Sequence, residues 1–169
     1  YDQVERELLL DKDNGLLRTR GKQSFGIEEV YADKMKEVSD GISGSLTNSI
    51  QKEAFMKFKM QRDSAAFTKI NGHIAKNIKA FDDEVTNNGM SVAISDYARA
   101  YKNPQDQGAA MQRGIEILEA KGLREGVPMT AHIAKFKSDA HIASINNTMA
   151  EGSDLQAKAY FDRNRDEIL

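Results

Sequence analysis

The chain contains no cysteine, no tryptophan and only two prolines in 169 residues. Without thiols it has no disulfide framework, no thiolate metal site and no cysteine nucleophile. It also lacks any apolar run approaching the roughly 20 residues that a membrane-spanning helix needs. Nor does it carry an excess of one charge: 24 Lys and Arg face 26 Asp and Glu, for a formal net charge of −2. No global basic field therefore draws it to nucleic acid or anionic lipid. Aromatic residues make up 7% and charged residues 30%, the profile of helices with narrow apolar stripes and broad wet faces.

What is present is helical spacing. Residues 47–86 contain no proline, and within them Phe67, Ile70, Ile74, Ile78, Phe81 and Val85 follow one another at steps of 3, 4, 4, 3 and 4. The mean step of 3.6 predicts one face of a long α-helix. Thr47 or Asn48 is suited to cap its start. The face does not hold throughout. Ile50, Ala54, Phe55 and Phe58 point elsewhere, which predicts that the helix meets different neighbours along its length. Asn87-Asn88-Gly89 predicts a break or bend, after which Met90, Ile94, Tyr97 and Tyr101 form a fresh stripe.

Punctuation sets the rest. A short helix is expected up to Leu10, ended by Asp11-Lys12-Asp13-Asn14-Gly15, and then a connector without a clear period over 16–26. Helical spacing resumes through Ile27, Val30, Tyr31 and Val38, with Gly41 and Gly44 closing it. Asn103-Pro104 opens a helix with the stripe Gly108, Met111, Ile115 and Leu118, ending near 122–126. Met129, Ile133, Phe136, Ala140 and Ala143 mark the next helix, and Ser153 or Asp154 caps a last one ending near Asn164. The expected fold is all-α: a long central helix with helical hairpins, in an elongated bundle or a short α-solenoid-like arrangement. The expected divisions are 1–26 for the N-terminal helix and connector, 27–102 for the long-helix segment and 103–169 for the C-terminal hairpins. The chain reads as a fragment of a larger protein.

Candidate chemistry is sparse. Gly15 with Gly21-Lys22-Gln23-Ser24 has the wrong spacing for a phosphate loop and follows no strand. His132 and His141 stand nine apart, not the single turn at which two histidines on one helix share a metal, and only Asp139 lies near them. No Ser, Thr or Lys is placed beside a base and a third orienting group. Neither catalytic nor metal-ligating nor cofactor-binding residues are therefore assigned. Residues 51–80 hold seven Lys and Arg against two acids, and Lys52, Lys59, Arg62, Lys69 and Lys76 form a candidate basic interaction stripe. Such a stripe could follow phosphates. The acid-rich segment 28–40 offers it an internal partner instead, no aromatic residues alternate with it, and nucleic acid is the less favoured partner.

Several segments carry a resemblance. Leu8-Leu9-Leu10-Asp11-Lys12-Asp13-Asn14-Gly15-Leu16-Leu17, with Arg20-Gly21-Lys22-Gln23-Ser24-Phe25-Gly26, resembles a recurrent segment of bacteriophage and prophage virion proteins. Leu46-Thr47-Asn48, Tyr101-Lys102-Asn103-Pro104, Gly126-Val127-Pro128, Ala157-Lys158-Ala159-Tyr160-Phe161 and Asn164-Arg165-Asp166-Glu167-Ile168 extend it in order. The resemblance implies a large, helical internal virion or ejection-type protein, some relatives of which carry a lytic transglycosylase domain elsewhere. It implies no site residues. The expectation is a non-enzymatic assembly module located in the virion, or made from a prophage in the bacterial cytoplasm, with other virion proteins or its own copies as partners and no membrane span. The alternatives are the helical part of a peptidoglycan-degrading lytic transglycosylase and a DNA-binding arm that uses the basic residues of 52–79.

Overall fold

A computed structural model describes residues 1–169 as six α-helices and three short 3-10 turns, with no strand. The helices are α1 (Asp2–Leu10), α2 (Ile27–Ser45), α3 (Ser49–Arg99), α4 (Pro104–Glu125), α5 (Thr130–Ala150) and α6 (Asp154–Asn164). The chain is all-α, as its spacing predicts. None of these helices is long and apolar enough to cross a membrane.

Helix ends follow local chemistry where a side chain can satisfy the free backbone groups. Asn48 Oδ1 accepts the Gln51 N–H at 2.8 Å to open α3, and Asn103 Oδ1 accepts from Gln105 and Asp106 to open α4, with Pro104 in its first turn. Gly126 closes α4 in the left-handed region at φ 67°, where a Cβ would be strained.

Three glycine signals do not end helices. α2 passes through Gly41 and Gly44 to Ser45, and α3 runs unbroken through Asn87, Asn88 and Gly89 to Arg99. The expected break near Asn87 is thereby corrected. The reason is packing: a Cβ on Gly89 would lie 2.8 Å from Ile117 Cδ1 of α4. Gly89 admits a neighbouring helix and leaves its own helix intact.

The chain forms two compact units, Tyr1–Asp82 and Asp83–Leu169. Their boundary falls within α3, whereas the sequence divisions at 26/27 and 102/103 follow punctuation between elements. In the first unit Leu9, Ile27, Tyr31, Met35, Ala66 and Ile70 make the core, with Phe67 and Ile74 packed against it. The apolar face read from the sequence is thus buried at Ile70, near its start, while Ile78 and Val85 remain half exposed. Different neighbours do serve different stretches of α3: Tyr1 stacks edge-on against Phe55 and Phe58, and Tyr31 of α2 against Phe67.

The turn after α1 and the connector that follows are held by specific bonds despite the connector's lack of period. Asp11 Oδ1 accepts the N–H groups of Asp13 and Asn14, and His73 bonds the Thr19 carbonyl at 2.9 Å. Asn77 Oδ1 accepts the Gly21 N–H at 3.2 Å.

In the second unit Ala93, Leu118, Met129 and Phe136 form one cluster, and Tyr97, Ala110, Ala140 and Tyr160 another. Helices adjacent in sequence pack on one another: α4 with α5, and α5 with α6.

Candidate functional site

The basic stripe of α3 is partly consumed within the first unit. Lys59 bonds Asp63 at 2.5 Å, and the same carboxylate accepts from Tyr1 and Tyr31. Arg62 pairs with Asp2 and Glu5 of α1, not with the acid-rich α2. Glu5 is only 4% exposed, and the Arg62 guanidinium is its ion-pair partner. Lys52, Lys69 and Lys76 stay exposed. Two of the five stripe residues are therefore paired, Arg62 fastening α3 to α1 and Lys59 neutralising Asp63 within α3, which lowers the charge offered to a phosphate chain.

The three histidines do not converge. His73 belongs to the first unit, His132 is exposed, and His141 is buried on α5. His141 is the centre of a polar cluster that sequence reasoning missed. Tyr97 of α3 and Tyr160 of α6 have their hydroxyls 2.6 Å apart, and Tyr160 Oη lies 2.9 Å from His141 Nδ1. Tyr97 Oη is 3.2 Å from the same nitrogen.

Proton counting assigns the tautomer. If Tyr97 donates to Tyr160 and Tyr160 donates to Nδ1, both hydroxyl protons have acceptors. A proton on Nδ1 would leave one buried hydroxyl proton without an acceptor in this cluster, at a cost of about 1–3 kcal/mol. The network therefore puts the imidazole proton on Nε2. Burial, reinforced by the bond to Tyr160, holds the Tyr97 hydroxyl far above the usual phenol range. Burial also lowers the His141 pKa, opposed by the Glu167 carboxylate and aided by Lys137. The two phenols and the imidazole make a brace between α3, α5 and α6. The raised Tyr97 phenol is not activated as a nucleophile.

Other polar side chains of this unit also serve backbone or helix contacts. The Gln107 amide donates to the Tyr97 carbonyl and to Ser144 Oγ, each at 3.2 Å. Asn147 Nδ2 reaches the Ala98 carbonyl at 3.2 Å. A cleft of about 630 Å³ includes Tyr101, Lys102, Gln156 and Arg163, and its Lys102 pairs with Glu151 at 3.1 Å.

The sequence did carry a signal for the burial of His141, though none for its partners. His141, Ser144 and Thr148 recur at helical spacing and are all buried, a second face of α5 beside Phe136 and Ala140. Small polar residues at that spacing mark a face packed closely against other helices.

No protein-family model matches this chain, and neither a curated protein nor a solved structure shows a significant match to it.

Proposed function

We propose that this chain is a non-enzymatic packing and assembly module of a bacteriophage or prophage virion protein, of the internal or ejection type. The single observation that carries the reading is the division of labour among side chains. The buried polar groups, Glu5 with Arg62 and Tyr97 with Tyr160 and His141, are spent on holding helices together. Large apolar side chains meanwhile remain outside, with Ile50, Met60, Leu123 and Leu155 each at least 70% exposed. Such residues suit contacts with other chains of an assembly. The ordered resemblance to virion proteins supplies the assembly.

Mass spectrometry of particles purified from a producing strain tests the location: peptides of this chain are expected in the virion at stoichiometric amounts. Their confinement to the cell lysate would sink the proposal. Incubation of the chain with purified peptidoglycan tests the alternative reading, and the expected result is no release of soluble muropeptides.

A further inference from the structure

The second unit contains one buried side-chain atom without a hydrogen-bond partner, Nε2 of His141. The residue is 4% exposed, and with Nδ1 accepting from Tyr160 the orphan atom is an N–H donor. Unpaired buried donors are rare, and each needs a reason.

The surroundings give one. Glu167 Oε2 lies 4.0 Å from His141 Nε2, too far to accept its proton, and 3.0 Å from Lys137 Nζ. The Glu167 carboxylate thus stands between an ammonium and an N–H donor without satisfying both. All three side chains line a groove of about 330 Å³, near the lower end of the range for small-molecule sites, about 300–1,000 Å³. Pro104, Met111 and Ile115 give the groove its apolar lining.

We infer that this groove binds a small carboxylic acid, whose carboxylate accepts the Nε2–H of His141 and pairs with Lys137 while its short hydrocarbon body rests on Pro104, Met111 and Ile115. Glu167 is a tethered stand-in for that carboxylate. Its side chain is 49% exposed and belongs to the three-residue turn Arg165–Glu167, so it can swing into solvent without disturbing a helix. Nε2 is enclosed while Glu167 stays, and ligand entry and Glu167 withdrawal are one exchange. A cationic ligand would meet Lys137 and an N–H donor, both of the wrong polarity. A neutral alcohol would leave Lys137 unused. The carboxylate has two sources, a free acid or the acidic side chain of a partner protein.

The test follows the His141 ring nitrogens of the ¹⁵N-labelled chain by NMR at a pH where the ring is neutral. Butyrate is titrated against butanol and against sodium chloride at equal ionic strength. Butyrate is expected to shift the Nε2 resonance saturably and the two controls are not. Glu167→Gln removes the tethered competitor and is expected to tighten butyrate binding about three- to tenfold, because a site open only part of the time loses apparent affinity by that fraction. Lys137→Met is expected to weaken it at least about tenfold, the cost of losing a charge-assisted partner, and Lys137→Arg to restore most of it. The backbone amide spectrum verifies that each variant is folded. A blocked glutamyl peptide run in parallel assigns the source: tighter saturation by butyrate identifies a free acid, and tighter saturation by the peptide identifies a partner's side chain. Absence of saturation in folded Glu167→Gln, an equal response to butanol, or unchanged affinity in Lys137→Met would each overturn the inference.

Discussion

Gly114 of α4 and Phe136 of α5 touch so closely that a Cβ at position 114 would lie 1.9 Å from Phe136 Cζ. Phe136 is fully buried, so the ring has nowhere to retreat. Gly114→Ala is expected to destabilise the second unit by about 1–3 kcal/mol, the usual cost of overpacking. The intrinsic helix preference for alanine would return at most about 1 kcal/mol. Urea denaturation measures the difference, and Phe136→Leu in the same chain should recover part of it, which a double-mutant cycle detects.

Arg62 and Glu5 form a bond at 2.8 Å that joins α3 to α1. Arg62→Ala leaves the Glu5 carboxylate buried and uncompensated. The change is destabilising, but the Arg62 side chain is 39% exposed, so solvent entering the gap makes the loss smaller than for a fully buried pair. Arg62→Lys should recover only part, since one ammonium replaces a guanidinium that reaches both Asp2 and Glu5. Adding Glu5→Gln to Arg62→Ala should restore stability, and thermal melts compare the three.

His141 makes the second unit sensitive to acid. Its pKa in the folded chain lies below the ordinary histidine value because burial disfavours the imidazolium, so the unfolded chain binds the proton first. The stabilisation is present above about pH 6.5, the unfolded value, and is lost as pH falls through the lower folded one. Lys137 from the same helix and Tyr97, Tyr160 and Glu167 from other elements face the ring. Glu167 opposes the shift, so Glu167→Gln should lower the pKa of His141 further. NMR titration of the ring reads both values directly.

The cap at Asn48 is the only side-chain bond from residues 46–48 to the first turn of α3. Asn48→Ala should cost about 1 kcal/mol and raise amide hydrogen exchange in the first turn. Asn48→Ser should cost far less.

Helix existence was legible from spacing because each apolar stripe had to meet a neighbour. Helix ends were legible at Asn48, Asn103-Pro104 and Gly126, where a side chain or a left-handed backbone does the terminating. Gly41, Gly44 and Gly89 misled because glycine ends a helix only where the backbone turns left-handed. The positive-φ glycines are 21, 26, 126 and 152, and the three misleading ones are not among them. Gly89 answers to Ile117, a residue far along the chain, and local sequence carries no trace of that contact. The His141 cluster was hidden for a related reason. Its partners Tyr97 and Tyr160 lie 44 and 19 residues away, and a lone histidine in a helix gives no sign that two phenols will close over it. The basic stripe was visible as composition, but its pairing with α1 depended on how α1 docks.

Every buried core residue of the first unit lies before position 83, and α1 packs on α2, its successor in the chain. During synthesis that unit therefore has all its partners once residue 82 clears the ribosome, before α5 and α6 have been made. Folding can proceed vectorially from the amino end, and a nascent chain stalled at the end of α4 should already carry a protease-resistant amino-terminal core.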